Sequence, residues 1–346
     1  MDVNRSKPVA IWLLIGAAMI IVQVMLGGIT RLTGSGLSIT EWKPILGALP
    51  PMNEHDWNLA FDKYKEIAQY KYIHNHFTLS DFKFIYFWEW FHRNWGRFMG
   101  LVFIVPFVYF IYTRRINRTM FWPMVVLFLL GGLQGAIGWI MVASGVGTDL
   151  VYVDHIRLAV HFMAALVLLV YVVWFALMLL WPRRALAYRP RAKRFNLVLL
   201  ALLTVQLTYG AFLAGTHGGM ASVTWPTING SFFPKMLTES PMIKDITSNA
   251  ITVQFIHRNL AYLIALLVIV FTVRLCRIPG KSLLTKVRLW PIITVLLQVL
   301  LGVLVLVNYL DETRRLYLGV AHQLMGIFLL ISLVVTYYAC GKKQRA

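Results

Sequence analysis

Acidic side chains and cysteines are what this sequence has least of. Of its 346 residues only 14 are Asp or Glu, against 33 Lys and Arg, and only 2 are Cys. Two cysteines cannot build a disulfide framework. Cys276 and Cys340 both fall at the predicted cytoplasmic ends of apolar runs and lack the clustered spacing of a zinc or iron–sulfur site, so both read as structural filler. Charge of either sign is thin at 14%, while apolar residues reach 59%. That balance excludes an ordinary soluble domain.

What charge there is has a pattern. A formal net charge of +19 would suit nucleic acid if the cations formed one patch. Instead they crowd alternate connections between apolar runs: Arg5 and Lys7; Arg114, Arg115 and Arg118; Arg183 to Arg194; Arg274 to Arg288; and Lys342 to Arg345. The other connections are mixed or acidic, with Glu41, Glu54, Asp56, Asp62 and Glu66 in the first and Asp149 and Asp154 in the second. This is the positive-inside signature of a membrane protein, with both termini cytoplasmic and no nucleic-acid partner.

The apolar runs number eight, at roughly 8–30, 84–112, 121–143, 155–181, 195–215, 249–275, 287–308 and 315–339. Each is near the ~20 residues that cross a bilayer as helix. The first is too long, and lacks the small-residue cleavage site, to be a removable signal peptide. The expected fold class is therefore an all-α integral membrane protein with eight transmembrane helices.

The chain also repeats itself. "QVMLGGITRLTGSGLSITEWKP" (23–44) aligns with "QLTYGAFLAGTHGGMASVTWP" (206–226), placing Gln23 over Gln206 and Trp42 over Trp225. "EWFHRN" (89–94) falls over "QFIHRN" (254–259), "LQGAIGWIM" (133–141) over "LQVLLGVLV" (297–305), and His161 over His322. The offset changes almost entirely in loops, mostly because the first outer loop is the longer. One unit is four spans, so the repeat is parallel, with its axis along the membrane normal. The predicted organisation is two tandem pseudo-symmetric four-helix bundles: residues 1–182, with a long outer loop at 31–83; a cytoplasmic linker at 183–194; and residues 195–346.

Four of the nine histidines lie inside spans: His92, His161, His257 and His322. Each is on an even-numbered span, six to nine residues from its predicted outer end, which is about 9–14 Å deep. Intramembrane imidazoles are costly without a partner and mark functional sites. A carboxylate di-metal centre would need glutamates on all four helices of a bundle, and only Glu89 and His92 have the Glu-x-x-His spacing. Zinc would need further ligands. Haem iron needs only two axial ligands, and bundle interiors hold such cofactors. The expectation is two bis-histidine haem sites, one per bundle. Arg93, Arg97 and Arg258 stand where propionates would meet a forked cation, or simply reach the interface. Gly96, Gly100, Gly131, Gly132, Gly135, Gly138 and Gly302 would let backbones approach a flat macrocycle or one another.

Two functions diverge here. A diheme b-type electron carrier needs nothing more. An enzyme needs asymmetry, and Glu89 in the first half faces Gln254 in the second. Glu89 precedes His92 by one helical turn, so a carboxylate beside one site alone suggests proton-linked chemistry there. A solute transporter would not explain two ligand pairs at one depth.

At these residues the sequence resembles the haem A synthase family. The likeness runs over essentially the whole chain, through "EWKPILGALPP", "FKFIYFWEWFHRNWGR", "VTWPTING", "QFIHR" and "AHQLMG". It implies an oxidoreductase that converts the methyl at ring position C8 of haem O to a formyl group by successive hydroxylations, giving haem A for cytochrome oxidase. By the same resemblance His257 and His322 would ligate a resident haem b, His92 and His161 would flank haem O, and Glu89 would join in the oxidation. Arg93, Arg97 and Arg258 would line the cofactor sites. Haem O synthase and cytochrome oxidase assembly factors would be partners, with lipid around a chain that could form a homo-oligomer in a bacterial inner membrane. The first outer loop has no cysteine, which resembles the branch without a cysteine pair there and puts a thiol relay in doubt.

That loop has content of its own. "MNEHDWNLAFDKYKEIAQY" sets Trp57, Phe61, Tyr64 and Ala68 on one stripe, predicting a short amphipathic helix that caps the first site or rests on lipid. His55, His74, His76, His155 and His217 read as solvated or interfacial. His74 and His76 flank an Asn, and two ligands without a third make no metal site.

Overall fold

The computed structural model describes residues 3–43, 46–181, 186–234 and 241–341. Of the predicted cationic connections, Arg183, Arg184 and Lys342 to Arg345 lie outside the described residues. The helices are α1 Val3–Leu32, α2 Glu54–Lys65, α3 Leu79–Tyr112, α4 Arg118–Val142, α5 His155–Leu180, α6 Pro190–Gly215, α7 Met242–Ser248, α8 Ala250–Cys276, α9 Leu283–Val287, α10 Trp290–Val307 and α11 Glu312–Ala339. Eight stretches are long and apolar enough to cross a membrane, one for each predicted run, with α9 and α10 together forming the seventh at Leu283–Val307.

Side-chain caps set where these helices begin. Asn117, Asp154, Asn249 and Asp311 each accept a hydrogen bond from a first-turn backbone N–H of α4, α5, α8 and α11, satisfying a donor that would otherwise be orphaned. A capping box of Thr78 and Asp81 starts α3 at Leu79, five residues before the apolar run. At 34 residues, α3 is about 51 Å long and outreaches the ~30 Å hydrocarbon layer. Its projecting turns receive the amphipathic stripe of α2. Phe61 and Tyr64 are buried against Phe82, Ile85, Leu37 and Val142, so the stripe packs on protein rather than lying on lipid.

Packing joins the two halves. α1 meets α3 and α5, α4 meets α5, α6 meets α8, and α10 meets α11; across the halves α1 packs on α11, and α5 packs on α6 and α11. One apolar core runs through Leu13, Ile20, Leu169, Val173, Leu199, Leu203, Val268, Ile327 and Leu333. Val105, Leu129, Val167 and Leu266 point outward and exposed from the middle of their helices, a surface suited to hydrocarbon. The core fills the end of the bundle near the Arg114, Arg115 and Arg189 connections. The other end, below the loop residues 33–43, 46–78, 216–234 and 241–249, is hollow.

Candidate functional site

The hollow is one cavity of about 850 Å³, and His92, His161, His257 and His322 all line it. None of the four faces lipid. The cavity is continuous between the halves, with Glu89, Arg93, Arg97 and Arg258 also on its wall. Its volume falls in the range of about 300–1,000 Å³ usual for small-molecule and cofactor sites. The rings of His257 and His322 are 6.5 Å apart between centroids, at 71° to one another.

Each histidine has the same seat. A Cβ built on Gly27, Gly138, Gly210 or Gly302 would come within 2.9–3.3 Å of Cε1 of His92, His161, His257 or His322 respectively. Four residues before each glycine stands a glutamine, Gln23, Gln134, Gln206 or Gln298, one turn along the same helix face. Three of the four reach the ring. Gln23 Nε2 lies 3.4 Å from His92 Nε2, Gln206 Nε2 3.1 Å from His257 Nδ1, and Gln298 Nε2 3.3 Å from His322 Nε2. The carbonyl of Gln298 also lies 3.1 Å from His322 Nδ1. Gln134 lines the cavity near His161. The signal was in the sequence as Gln-x-x-x-Gly, present once on each odd-numbered span. Sequence reasoning aligned the glutamines without joining them to the glycines.

Open space accounts for other glycines. A Cβ at Gly100, Gly131, Gly132 or Gly135 would meet nothing within 4 Å, and Gly96 faces only Gln23. They widen the cavity rather than bring backbones together.

Above the histidines, side chains from α3 and α8 tie down the loops. Glu89, 3% exposed, accepts from Ser38 Oγ at 2.7 Å and Ile39 N–H at 2.8 Å on one oxygen. Its other oxygen meets Arg93 Nη2 at 2.6 Å. Arg93 goes on to donate to the carbonyls of Ile39 and Glu41. In the second half Gln254 donates to the Ser222 carbonyl, and Arg258 to the carbonyls of Ser222, Thr224 and Thr227. Arg97 binds Asn94 Oδ1 and the Lys43 carbonyl. The three arginines read as propionate ligands thus already serve loop carbonyls, although each still borders the cavity. The first clamp carries an ion pair, Glu89–Arg93, where the second has the neutral Gln254 beside Arg258.

The remaining histidines divide. His55 and His76 are exposed as expected, and His155 contacts Ser248 Oγ at 3.1 Å near the protein edge. His74 is not solvated. It is half-buried, its Nδ1 2.6 Å from Tyr64 Oη, and its ring stacks on Phe77 at 4.0 Å. The bond to Tyr64 ties the π-helical turn Tyr70–His74 to α2. No group of three or more His, Cys, Asp or Glu suited to a metal exists among the described residues. His217 is also half-buried, its ring 4.0 Å from that of Tyr152. Burial first, then the nearby Arg31 and Arg315 charges, push its pKa down to about 4. The folded protein therefore keeps His217 neutral while an unfolded chain would protonate it near 6.5. Stability should fall as pH drops from about 6.5 towards 4 and level off below that. His217→Gln should flatten this part of a thermal-midpoint-versus-pH curve measured in detergent.

Fold and site together define a class: a many-spanned helical membrane protein with imidazoles from both halves around one largely apolar cavity. Residues 10–334 match the family described as cytochrome oxidase assembly protein, COX15-CtaA, and the chain belongs to that family. Curated relatives agree along the full length. A haem A synthase of Azorhizobium caulinodans is 41% identical over 344 residues, covering 99% of this chain and 96% of its own. One from Flavobacterium johnsoniae is 38% identical, covering 98% and 99%. One from Rhodospirillum centenum is 42% identical, covering 95% and 87%.

Proposed function

We propose that this chain oxidises the C8 methyl of haem O to a formyl group, by successive hydroxylations, to give haem A for cytochrome oxidase. His257 and His322 hold a resident haem b, and His92 and His161 flank haem O. The observation that carries this reading is the fourfold seat: an imidazole on a glycine beside a glutamine, repeated around one cavity, in a chain whose relatives are haem A synthases. The residues suit such a group. The 6.5 Å between the His257 and His322 rings is close to the roughly 6 Å that two imidazoles would have with a metal about 2 Å from each. Nδ1 of His92 and His161 and Oε1 of all four glutamines are buried without a partner, and buried polar atoms of that kind ask for one. The Gln298 carbonyl, 3.1 Å from His322 Nδ1, would take the proton of that nitrogen and leave Nε2 to ligate.

Haem b, when bound, supplies a redox-active iron. The chain supplies position and charge. Glu89 stands one turn from His92 with its carboxylate paired to Arg93, ready to take a proton leaving the first site. Gln254, at the matching place, cannot. That difference argues against the diheme b-type carrier, in which the two sites would be alike. Both termini are cytoplasmic in a bacterial inner membrane and the cavity faces outward, as the cationic connections at the opposite end support. The halves are a duplicated four-helix unit. Haem O synthase and oxidase assembly factors are the partners that would deliver substrate and take product.

Pigment extraction with mass identification tests the proposal. Purified protein should contain haem b, and cells making haem O should gain haem A with it. Haem b alone, with no hydroxylated or formylated porphyrin from such cells, would overturn it. Gly302→Val provides a finer check. Its Cβ would sit 2.9 Å from His322 Cε1 with two methyls beyond, so the ring must leave its seat. Resident haem should fall roughly 10- to 100-fold in affinity, as when a ligand loses its outer support, read as lost Soret absorbance per protein.

A further inference from the structure

On the cavity wall one group of charges belongs to neither loop clamp. Arg31, at the end of α1, lines the cavity together with Arg315 of α11, His217 after α6, Tyr152 and Tyr309. Arg31 Nη1 donates to the Ala214 carbonyl at 3.2 Å, and no carboxylate of the described residues pairs with it. Arg315 donates to the Tyr309 carbonyl at 3.1 Å, and among the described residues the one carboxylate it meets is Glu312, at 3.5 Å. The Glu312 side chain is 88% exposed, so it neutralises little. Two guanidinium groups therefore share a partly buried wall almost without countercharge, an arrangement that costs free energy until an anion joins it.

The wall around them is closely packed. The Tyr309 ring lies against Gly219, where any Cβ would clash with it, and the Arg315 guanidinium sits 5.3 Å from the centre of that ring. The His217 ring lies 4.0 Å from that of Tyr152, and burial first, then the two cations beside it, keep it neutral. It can donate or accept a hydrogen bond without adding a third charge.

Position says what the group serves. Arg315 precedes His322 by seven residues, two turns along the same face of α11, and so stands about 10 Å nearer the loops. His217 follows Gly210, the seat of His257, by seven residues. Arg31 follows Gly27 by four, and its bond to Ala214 carries it across to the end of α6. Ala214 is also its counterpart in the repeat, so the first half lends a cation to the second. A flat ring held at His257 and His322 would have its loop-side edge beneath all three.

We propose that Arg31 and Arg315, with His217, form the anion pocket that binds the carboxylates of the porphyrin held at His257 and His322. The pocket rests on the haem reading of that histidine pair. Forked cations match carboxylates two bonds at a time. It contains a residue from each half, so occupancy of the second site ties the halves together.

The test uses the full chain in detergent, with His92→Ala and His161→Ala so that only the second site takes porphyrin. Made in haem-depleted cells, it is titrated with haem and with haem dimethyl ester, whose carboxylates carry no charge. Haem should bind at least tenfold more tightly than the ester. In the same background Arg31→Met with Arg315→Met should abolish that preference by weakening haem and not the ester, while Arg31→Lys should keep part of it. Equal binding of haem and ester before any arginine change overturns the proposal, whether or not the double variant folds. So does an unchanged preference in the double variant. Loss of co-purifying anionic phospholipid with the preference intact would overturn it too, assigning the pocket to a lipid phosphate. His257→Ala reports separately on the histidine pair. If both ligands still bind it as before, the haem reading itself has failed; if both are lost, the arginine results stand on their own.

Discussion

Alanine at His322 or His257 is expected to give a membrane-inserted protein that purifies without its b-type absorbance. Either change removes one of two imidazoles facing each other at 6.5 Å and leaves the apolar core at the opposite end untouched. Loss of a ligand should exceed the 10–100-fold that loss of an outer-shell partner costs, so affinity should drop by more than about 100-fold. His92→Ala should instead keep the resident haem and lose turnover. Haem content per protein, set beside haem A formed in cells supplying haem O, separates the two sites. Were His92→Ala to strip the resident pigment and His322→Ala to spare it, the roles assigned to the pairs would be reversed.

Glu89→Gln carries the second large effect. The amide keeps the size of the side chain, and its one oxygen can still accept from Ser38 or from the Ile39 N–H. The ion pair with Arg93 is lost, yet Arg93 retains its bonds to the Ile39 and Glu41 carbonyls. The loop should therefore stay in place and the resident haem remain bound. Haem A formation should fall roughly 10²- to 10⁴-fold, the scale of a missing proton-transfer group. The substitution recreates at the first site what Gln254 already is at the second. A variant that retained both pigment and turnover would remove Glu89 from the chemistry and leave it a loop clasp.

Much of this was legible from particular residues. The eight spans follow from eight apolar runs of bilayer length, because such a run is a local feature of the chain. The four histidines were conspicuous because imidazole is rare in hydrocarbon. The start of α3 was misplaced because hydropathy ends at residue 84 while the helix is capped by Thr78 and Asp81. The solvated or interfacial reading of His74 missed its bond to Tyr64, a residue of α2 ten positions earlier that reaches it only through the fold of the outer loop.

The sequence by itself determined the class of protein, the number of spans and which imidazoles matter, since each depends on composition or on spacing along a single helix. The tertiary structure alone decided that the histidines share one cavity and that Arg93 and Arg258 serve loop carbonyls. It also decided that Arg31 stands with Arg315 and His217. Those are meetings between helices far apart in the chain, fixed by how side chains of matched size pack together, and no local pattern encodes them.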